Sequence, residues 1–158
     1  MEQKSITPVR SIQGTVQVPG DKSISHRALI LASLANGSCT LRGLSGAGDV
    51  LSTIDCLKGL GISITKRSGA VVVKGKGKHG YKKPKKALNA ANSGTTIRLL
   101  SGVLAAQPFV CEIDGDESLR NRPMRRIIEP LESMGGHIES VGYKAPDRKS
   151  TRLNSSHR

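Results

Sequence analysis

The sequence predicts an α/β protein built from a repeated unit, on three observations. Strand-like and helix-like patterns alternate along the chain. Ile54, Leu57, Leu60, Gly61, Ile62 and Ile64 align with Ile128, Leu131, Met134, Gly135, Gly136 and Ile138, and Arg27 and Ala35 align with Arg98 and Ala106, so one helix–strand–helix–strand unit is used twice. The 158 residues can bury one core, which must be aliphatic because aromatic residues make up only 2%.

The elements follow in order. A strand is predicted at 14–18, where Thr15-Val16-Gln17-Val18 alternates. A helix over 23–35 carries Ala28-Leu29-Ile30-Leu31-Ala32, is apolar nearly all round and is expected to be buried on most sides. A strand at 39–44 leads to a helix over 49–60, with Asp49 as its N-cap and Gly61 closing it. Strands follow at 62–66 and 70–74, the latter an addition to the first copy of the repeat. Lys74 to Lys86, rich in Gly, Lys and Pro, reads as a solvated loop. A helix over 94–106, a strand at 109–114, a helix over 123–134 and a strand at 137–141 make the second copy. Pro123 suits the first position of that last helix, Pro130 should kink it, and Gly135-Gly136 ends it. Residues 147–158 have no periodicity. They resemble the in-frame translation of a common sequencing adapter, are expected to be a non-native tail, and make the rest the amino-terminal piece of a longer protein.

The formal net charge is +13, which raises nucleic acid as a partner. Its distribution argues against that. The lysines crowd one Gly/Pro-rich stretch in which Tyr81 is the single stacking ring, whereas single-strand binders use several. No apolar run is long enough to span a membrane, and the N-terminus shows no signal-peptide pattern. Cys39, Cys56 and Cys111 are odd in number and too dispersed for a metal knuckle, so they are expected to be reduced thiols in a cytoplasmic protein.

The chemistry concentrates at three helix starts. Gly20-Asp21-Lys22-Ser23-Ile24-Ser25-His26-Arg27 delivers Lys22 just outside a helix and puts Ser23 and Arg27 on one face of its first turns. Free N–H groups and the positive dipole end there favour an anion, and an ammonium, a hydroxyl and a guanidinium suit phosphate or carboxylate. The second start, Asn92-Ser93-Gly94-Thr95-Thr96-Ile97-Arg98, offers hydroxyls and a close backbone approach at Gly94, and Arg98 mirrors Arg27. The third, Arg120-Asn121-Arg122-Pro123, sets Arg122 immediately before a helix. Any one of them could be an ordinary cap beside a surface charge. Three together, each with cations at the unfavourable end of the dipole, call for bound anions. His26 reads as a structural residue, and Asp49 as a cap that could also serve the site. No nucleophile–base pair, P-loop or metal-ligand spacing is present.

The first and second starts, with Gly115-Asp116-Glu117-Ser118-Leu119-Arg120-Asn121-Arg122-Pro123-Met124 around the third, resemble three signature segments of the 5-enolpyruvylshikimate-3-phosphate synthase family in order and spacing. The resemblance covers about 1–146 and only the opening part of such an enzyme. It implies the enolpyruvyl transferase fold of repeated βαβαββ units. Residues 1–20 would then be a strand segment of the second domain, and 21–146 a partial first domain with units at about 21–81 and 82–146. It implies transfer of the enolpyruvyl group of phosphoenolpyruvate to shikimate 3-phosphate, in the shikimate pathway, with no metal or organic cofactor and a monomeric enzyme. Lys22 would be catalytic and touch both substrates. Ser23 and Arg27 would hold shikimate 3-phosphate, Gly94 and Arg122 would hold phosphoenolpyruvate, and Asn92, Thr95, Arg98 and Asp49 would support them. The acid–base carboxylates of the family would lie past residue 158, leaving this chain inactive alone. The alternatives are a UDP-N-acetylglucosamine enolpyruvyl transferase, which the Lys-Ser-x-Ser-His-Arg string disfavours, and a basic polyanion-binding repeat module.

Overall fold

The structure, a computed structural model, describes residues 4–5, 7–140, 142–144 and 153–154. Helix α1 (Lys22–Leu34) starts where Asp21 caps it, the carboxylate taking the Ile24 N–H at 2.7 Å. Strand β1 (Asn36–Arg42) follows, then α2 (Gly48–Gly59), β2 (Ser63–Arg67) and β3 (Ala70–Lys76). The three strands form one antiparallel sheet in the order β1-β3-β2. The hairpin between β2 and β3 turns on Ser68-Gly69, both left-handed at φ 43° and 74°. That is the mirror-image turn a two-residue hairpin prefers.

The second half is a β–α–β crossover. Strand β4 (Leu88–Asn89) pairs in parallel with β5 (Ile113–Asp114), and α3 (Gly94–Ala105) connects them. A short α4 (Glu117–Arg120), α5 (Arg125–Ser133) and β6 (His137–Ile138) follow, and β6 pairs antiparallel with β7 (Leu153–Asn154). The order α–β–α–β therefore recurs as α1-β1-α2-β2 and α3-β5-α5-β6. Gly61 and Gly135 stand at equivalent places after α2 and α5, at φ 84° and 89°. One continuous aliphatic core joins the halves, with Leu29, Leu57, Leu60, Leu100, Leu104 and Leu119 at 0% exposure.

Several expectations are corrected. Residues 14–18 form no strand; a strand needs a ladder partner, no described strand pairs with this stretch, and Val16 and Val18 are exposed. Helix α1 is not buried on most sides. Ile24 and Leu31, two turns apart with Arg27 between them, are each 66% exposed, because α1 packs on α2, α3 and β3 with its other face. Lys22 is the first residue of α1 rather than outside it. Ala47, not Asp49, occupies the N-cap of α2, and Asp49 lies in the first turn. Pro123 pairs with Lys144 in an isolated bridge, and α5 begins at Arg125 after Met124. The strand expected at 109–114 shrinks to two residues. Strand β3 runs on to Lys76, and Tyr81 is buried at 6% exposure with its hydroxyl 2.6 Å from Ser33 Oγ, so the lysine-rich stretch is not wholly a solvated loop. Apart from β7, the proposed tail at 147–158 lies outside the described residues.

Candidate functional site

Local chemistry fixes each helix start, and long-range contacts then gather the starts. Gly20 runs against the Gly43 carbonyl so closely that a Cβ there would lie 1.7 Å from the oxygen. Ser25, buried, donates to Asp21 O at 2.7 Å and accepts the Ser45 N–H at 2.9 Å, which pins the loop before α2 to the first turn of α1. This brings Asp49 to Lys22, whose Nζ donates to the carboxylate at 2.9 Å. The pair is partly exposed, with side chains at 51% and 31%.

Beneath it runs a buried polar chain that the sequence did not reveal. His26, Thr53 and Thr96 are each 0% exposed. His26 Nδ1 lies 2.6 Å from Thr53 Oγ1, which lies 2.7 Å from Thr96 Oγ1. The Thr96 hydroxyl is 3.2 Å from the Asp49 carbonyl and 2.8 Å from Ser93 Oγ. Ser93 also caps α3 by accepting the Thr96 N–H at 3.1 Å. The chain thus ties the starts of α1, α2 and α3 together. His26 Nε2 has no partner among the described residues. Burial depresses the His26 pKa; the Asp49 charge works against the shift and that of Lys22 with it, so the ring sits neutral. A sequence signal for this chain did exist, since Thr53 lies on the same buried helix face as Val50, Ile54 and Leu57.

Past Ser93 the second and third starts meet. A Cβ on Gly94 would lie 3.0 Å from Arg122 Nη1 and 3.4 Å from Arg98 Nη1, so both guanidinium groups crowd the first residue of α3. Arg122 Nη2 donates to Asn92 Oδ1 at 2.5 Å, and Asn92 Nδ2 donates to Asp116 Oδ2 at 2.7 Å. Arg98 donates to the Pro123 carbonyl at 3.3 Å. Thr95 is half-buried beside them. Ser23 and Arg27 are exposed on α1, and their side chains have no hydrogen-bond or ion-pair partner among the described residues.

Of the expected site residues, Lys22 and Asp49 are joined directly, Asp49 reaches Ser93 and Gly94 through Thr96, and Gly94, Arg98, Arg122 and Asn92 form one cluster. Among the described residues no hydrogen bond or ion pair ties the Ser23 or Arg27 side chain to that cluster. Two cavities lie nearby. One of about 590 Å³ opens beside the cluster, lined by Arg98, Pro123, Arg125, Arg126 and Ile127. The other, of about 350 Å³, lies between α2, the loop before it and the β2–β3 turn, and includes none of the expected site residues.

The rest of the molecule offers little competing chemistry. Burial pushes the Cys56 and Cys111 thiols up to about 12, so neither is a thiolate at neutral pH. Among the described residues no group of His, Cys, Asp or Glu could hold a metal ion, and no helix is long and apolar enough to cross a membrane.

Comparison with known proteins meets this geometry. The model of the EPSP synthase (3-phosphoshikimate 1-carboxyvinyltransferase) family matches residues 6–155. A 3-phosphoshikimate 1-carboxyvinyltransferase of Brevibacillus brevis is 49% identical over 134 residues, 85% of this chain and 32% of that protein. One from Alkaliphilus metalliredigens is 50% identical over 135 residues, again 85% of this chain and 32% of the relative. A solved EPSP synthase from Acinetobacter baumannii superposes with a TM-score of 0.83 at 40% identity, over 90% of this chain and 32% of that one. The chain thus spans about a third of the length of the relatives it matches. It belongs to the EPSP synthase family.

Proposed function

We propose that this chain supplies the substrate-facing part of one domain of an enzyme that transfers the enolpyruvyl group of phosphoenolpyruvate to shikimate 3-phosphate. The observation that carries the reading is the continuous run of contacts Lys22–Asp49–Thr96–Ser93, which, with Gly94 crowded by Arg98 and Arg122, gathers three basic helix starts into one cationic site. Ser23 and Arg27 face shikimate 3-phosphate from α1. The Gly94 N–H and the Arg122 guanidinium hold phosphoenolpyruvate, and Lys22 stands between the two. Asn92, Thr95, Arg98 and Asp49 support them.

In the reaction, the acceptor's 5-hydroxyl gives up its proton to a base as its oxygen bonds to C2 of phosphoenolpyruvate and an acid protonates C3. The resulting tetrahedral ketal then loses phosphate by cleavage of its C–O bond and returns the C3 proton. The cations of this chain screen two like-charged substrates from each other and stabilise charge as it moves onto the leaving phosphate. The proton-transfer carboxylates belong to a second domain, so the 158-residue chain binds anions weakly and does not turn over. The enzyme needs no metal or organic cofactor, works as a cytoplasmic monomer, and binds neither nucleic acid nor membrane. The buried Tyr81 ring supports the nucleic-acid part of this reading, since it is withdrawn from stacking.

The test is a chimera in which residues 1–146 replace the matching third of the Brevibacillus brevis relative. It should release phosphate only when both substrates are present, while the 158-residue chain alone releases none. A folded chimera without turnover, or turnover by the chain alone, overturns the reading. A salt-dependent gel shift with DNA or RNA would favour the polyanion-binding module instead.

A further inference from the structure

We propose that Asp116 is a positioning residue for Arg122, acting through the side chain of Asn92. The inference rests on the reading above, in which Arg122 meets phosphoenolpyruvate, but the geometry behind it stands without a ligand. A carboxylate only accepts hydrogen bonds, whereas a primary amide has one accepting and one donating end. Asn92 donates its Nδ2 to Asp116 Oδ2 at 2.7 Å. That contact fixes which end of the amide points the other way, and the carbonyl oxygen then receives Arg122 Nη2 at 2.5 Å. Without a carboxylate at 116, the amide could turn over and present its NH2 group to a cation.

Asp116, though exposed, is fixed by backbone contacts as well. Its N–H donates to the Ala91 carbonyl at 2.9 Å, and its Oδ1 caps α4 by accepting the Leu119 N–H at 2.8 Å. Gly115 packs so tightly that a Cβ there would sit 2.4 Å from Ala91 O and 2.3 Å from a Leu119 methyl. The Leu119 N–H, and then the Asn92 amide, hold the Asp116 carboxyl below the usual carboxylate range, so it stays an acceptor at neutral pH.

A neutral spacer here has a physical purpose. Two residues earlier, Arg120 is taken directly by Asp114, at 3.0 Å and 2.5 Å, in the forked geometry of a structural ion pair. A carboxylate placed that way on Arg122 would satisfy its charge and compete with any incoming anion. An amide carbonyl orients the guanidinium over Gly94 while leaving its charge to the ligand.

The experiment uses the 158-residue chain. Without ligand, the Arg122 guanidinium should give distinct Nη signals by NMR, because Asn92 restricts its rotation. In Asp116→Asn, which keeps a capping oxygen for Leu119, those signals should collapse to one. Asp116→Ser, another good cap that cannot reach Asn92, should do the same if the Asn variant is unstable. Titrated with phosphoenolpyruvate and followed at the Gly94 amide, Asp116→Asn should bind roughly tenfold more weakly, as expected for a misplaced charge-assisted hydrogen bond. Shikimate 3-phosphate, followed at Ser23, should change less than about twofold. In an Asn92→Ser background, Asp116→Asn should add no further loss, because its effect passes through Asn92. Unchanged Arg122 signals in the variant, or equal weakening of both ligands, overturn the inference. A wild-type chain that restricts Arg122 yet shows no phosphoenolpyruvate response at Gly94 leaves the positioning intact and sinks the functional reading instead.

Discussion

Replacing Thr53 with Val removes one hydroxyl from the middle of the buried chain and changes almost nothing in shape, so it isolates the worth of that hydroxyl. Thr53 Oγ1 lies 2.6 Å from His26 Nδ1 and 2.7 Å from Thr96 Oγ1, in a site with no exposure. Thr96 is not orphaned by the change, because Ser93 Oγ and the Asp49 carbonyl remain at 2.8 Å and 3.2 Å. His26 is orphaned. Its Nε2 already lacks a partner among the described residues, so the imidazole would be left with none. A buried polar group stripped of its partner costs about 1–3 kcal/mol, and a buried methyl returns at most about 0.8 kcal/mol. With the full return the net destabilisation should be about 0.2–2.2 kcal/mol, read as a lower urea midpoint at unchanged slope. Coupling between Thr53 and His26 shows where the cost resides. If the cost belongs to the stranded imidazole, His26→Leu should cost less in the Thr53→Val background than alone, with a difference of at least about 0.5 kcal/mol. No loss for Thr53→Val, or strict additivity with His26→Leu, would refute the chain as a fastening between helix starts.

Further outcomes follow from the same geometry. Because burial depresses the His26 pKa below its ordinary 6.5, the unfolded chain takes up a proton that the folded chain refuses as pH falls through that value. Stability should therefore be full above about pH 6.5 and decline below it by up to about 1.4 kcal/mol per pH unit, and His26→Leu should flatten that slope in urea melts between pH 7 and 5. Gly94→Ala should leave stability unchanged or raise it by up to about 1 kcal/mol, since only the flexible ends of Arg122 and Arg98 stand in the way. The same change should weaken phosphoenolpyruvate binding, and unchanged binding would argue against Gly94 as a contact. Lys22→Met should cost less than about 1 kcal/mol of stability, because its partner Asp49 is an exposed-side ion pair. In the chimera, Lys22→Met and Arg27→Ala should each remove most phosphate release, and wild-type turnover in either would sink the site assignment.

What the sequence made legible was local. Gly61 closing α2, Gly135 ending α5 and the short strands β2 and β3 each depend on neighbours within a few residues, and pattern reading reaches that far. The failures are long-range. Asp49 has the chemistry of a cap, but Lys22, 27 residues away, draws its carboxylate, and a first-turn acid satisfies the helix dipole without capping. Tyr81 looked solvated among lysines because its partner, Ser33, is 48 residues away in α1. Pro123 looked like a helix start, yet the bridge to Lys144 holds it outside α5. Thr53 lies in no motif, and Thr96 and Asp116 lie inside motifs in which other residues drew the reading. Each matters through a partner that only the folded chain brings near.

Acid is unevenly placed in the first turns of the helices. α2 and α4 carry Asp49 and Glu117 there, as the dipole favours. α1, α3 and α5 carry none, although Lys22 opens α1, Arg125 opens α5, and Arg98 and Arg122 crowd the start of α3. Local stability would have selected the opposite arrangement. The offset comes partly from within, through the Asp21 cap of α1 and the Arg125–Glu129 pair of α5, and partly from neighbouring helices: Asp49 on Lys22, and Asp116 on Asn92, one amide short of Arg122. The two contacts from neighbouring helices keep the cations in place while leaving them open to competition from a stronger anion. A site built this way should gain stability on ligand binding well beyond what its surface ion pairs supply. On the proposed function, phosphoenolpyruvate and shikimate 3-phosphate together should raise the urea midpoint of the chimera more than either alone, because each would relieve a cation that the other does not touch. Equal protection by one substrate alone would mean that the helix starts answer to a single anion.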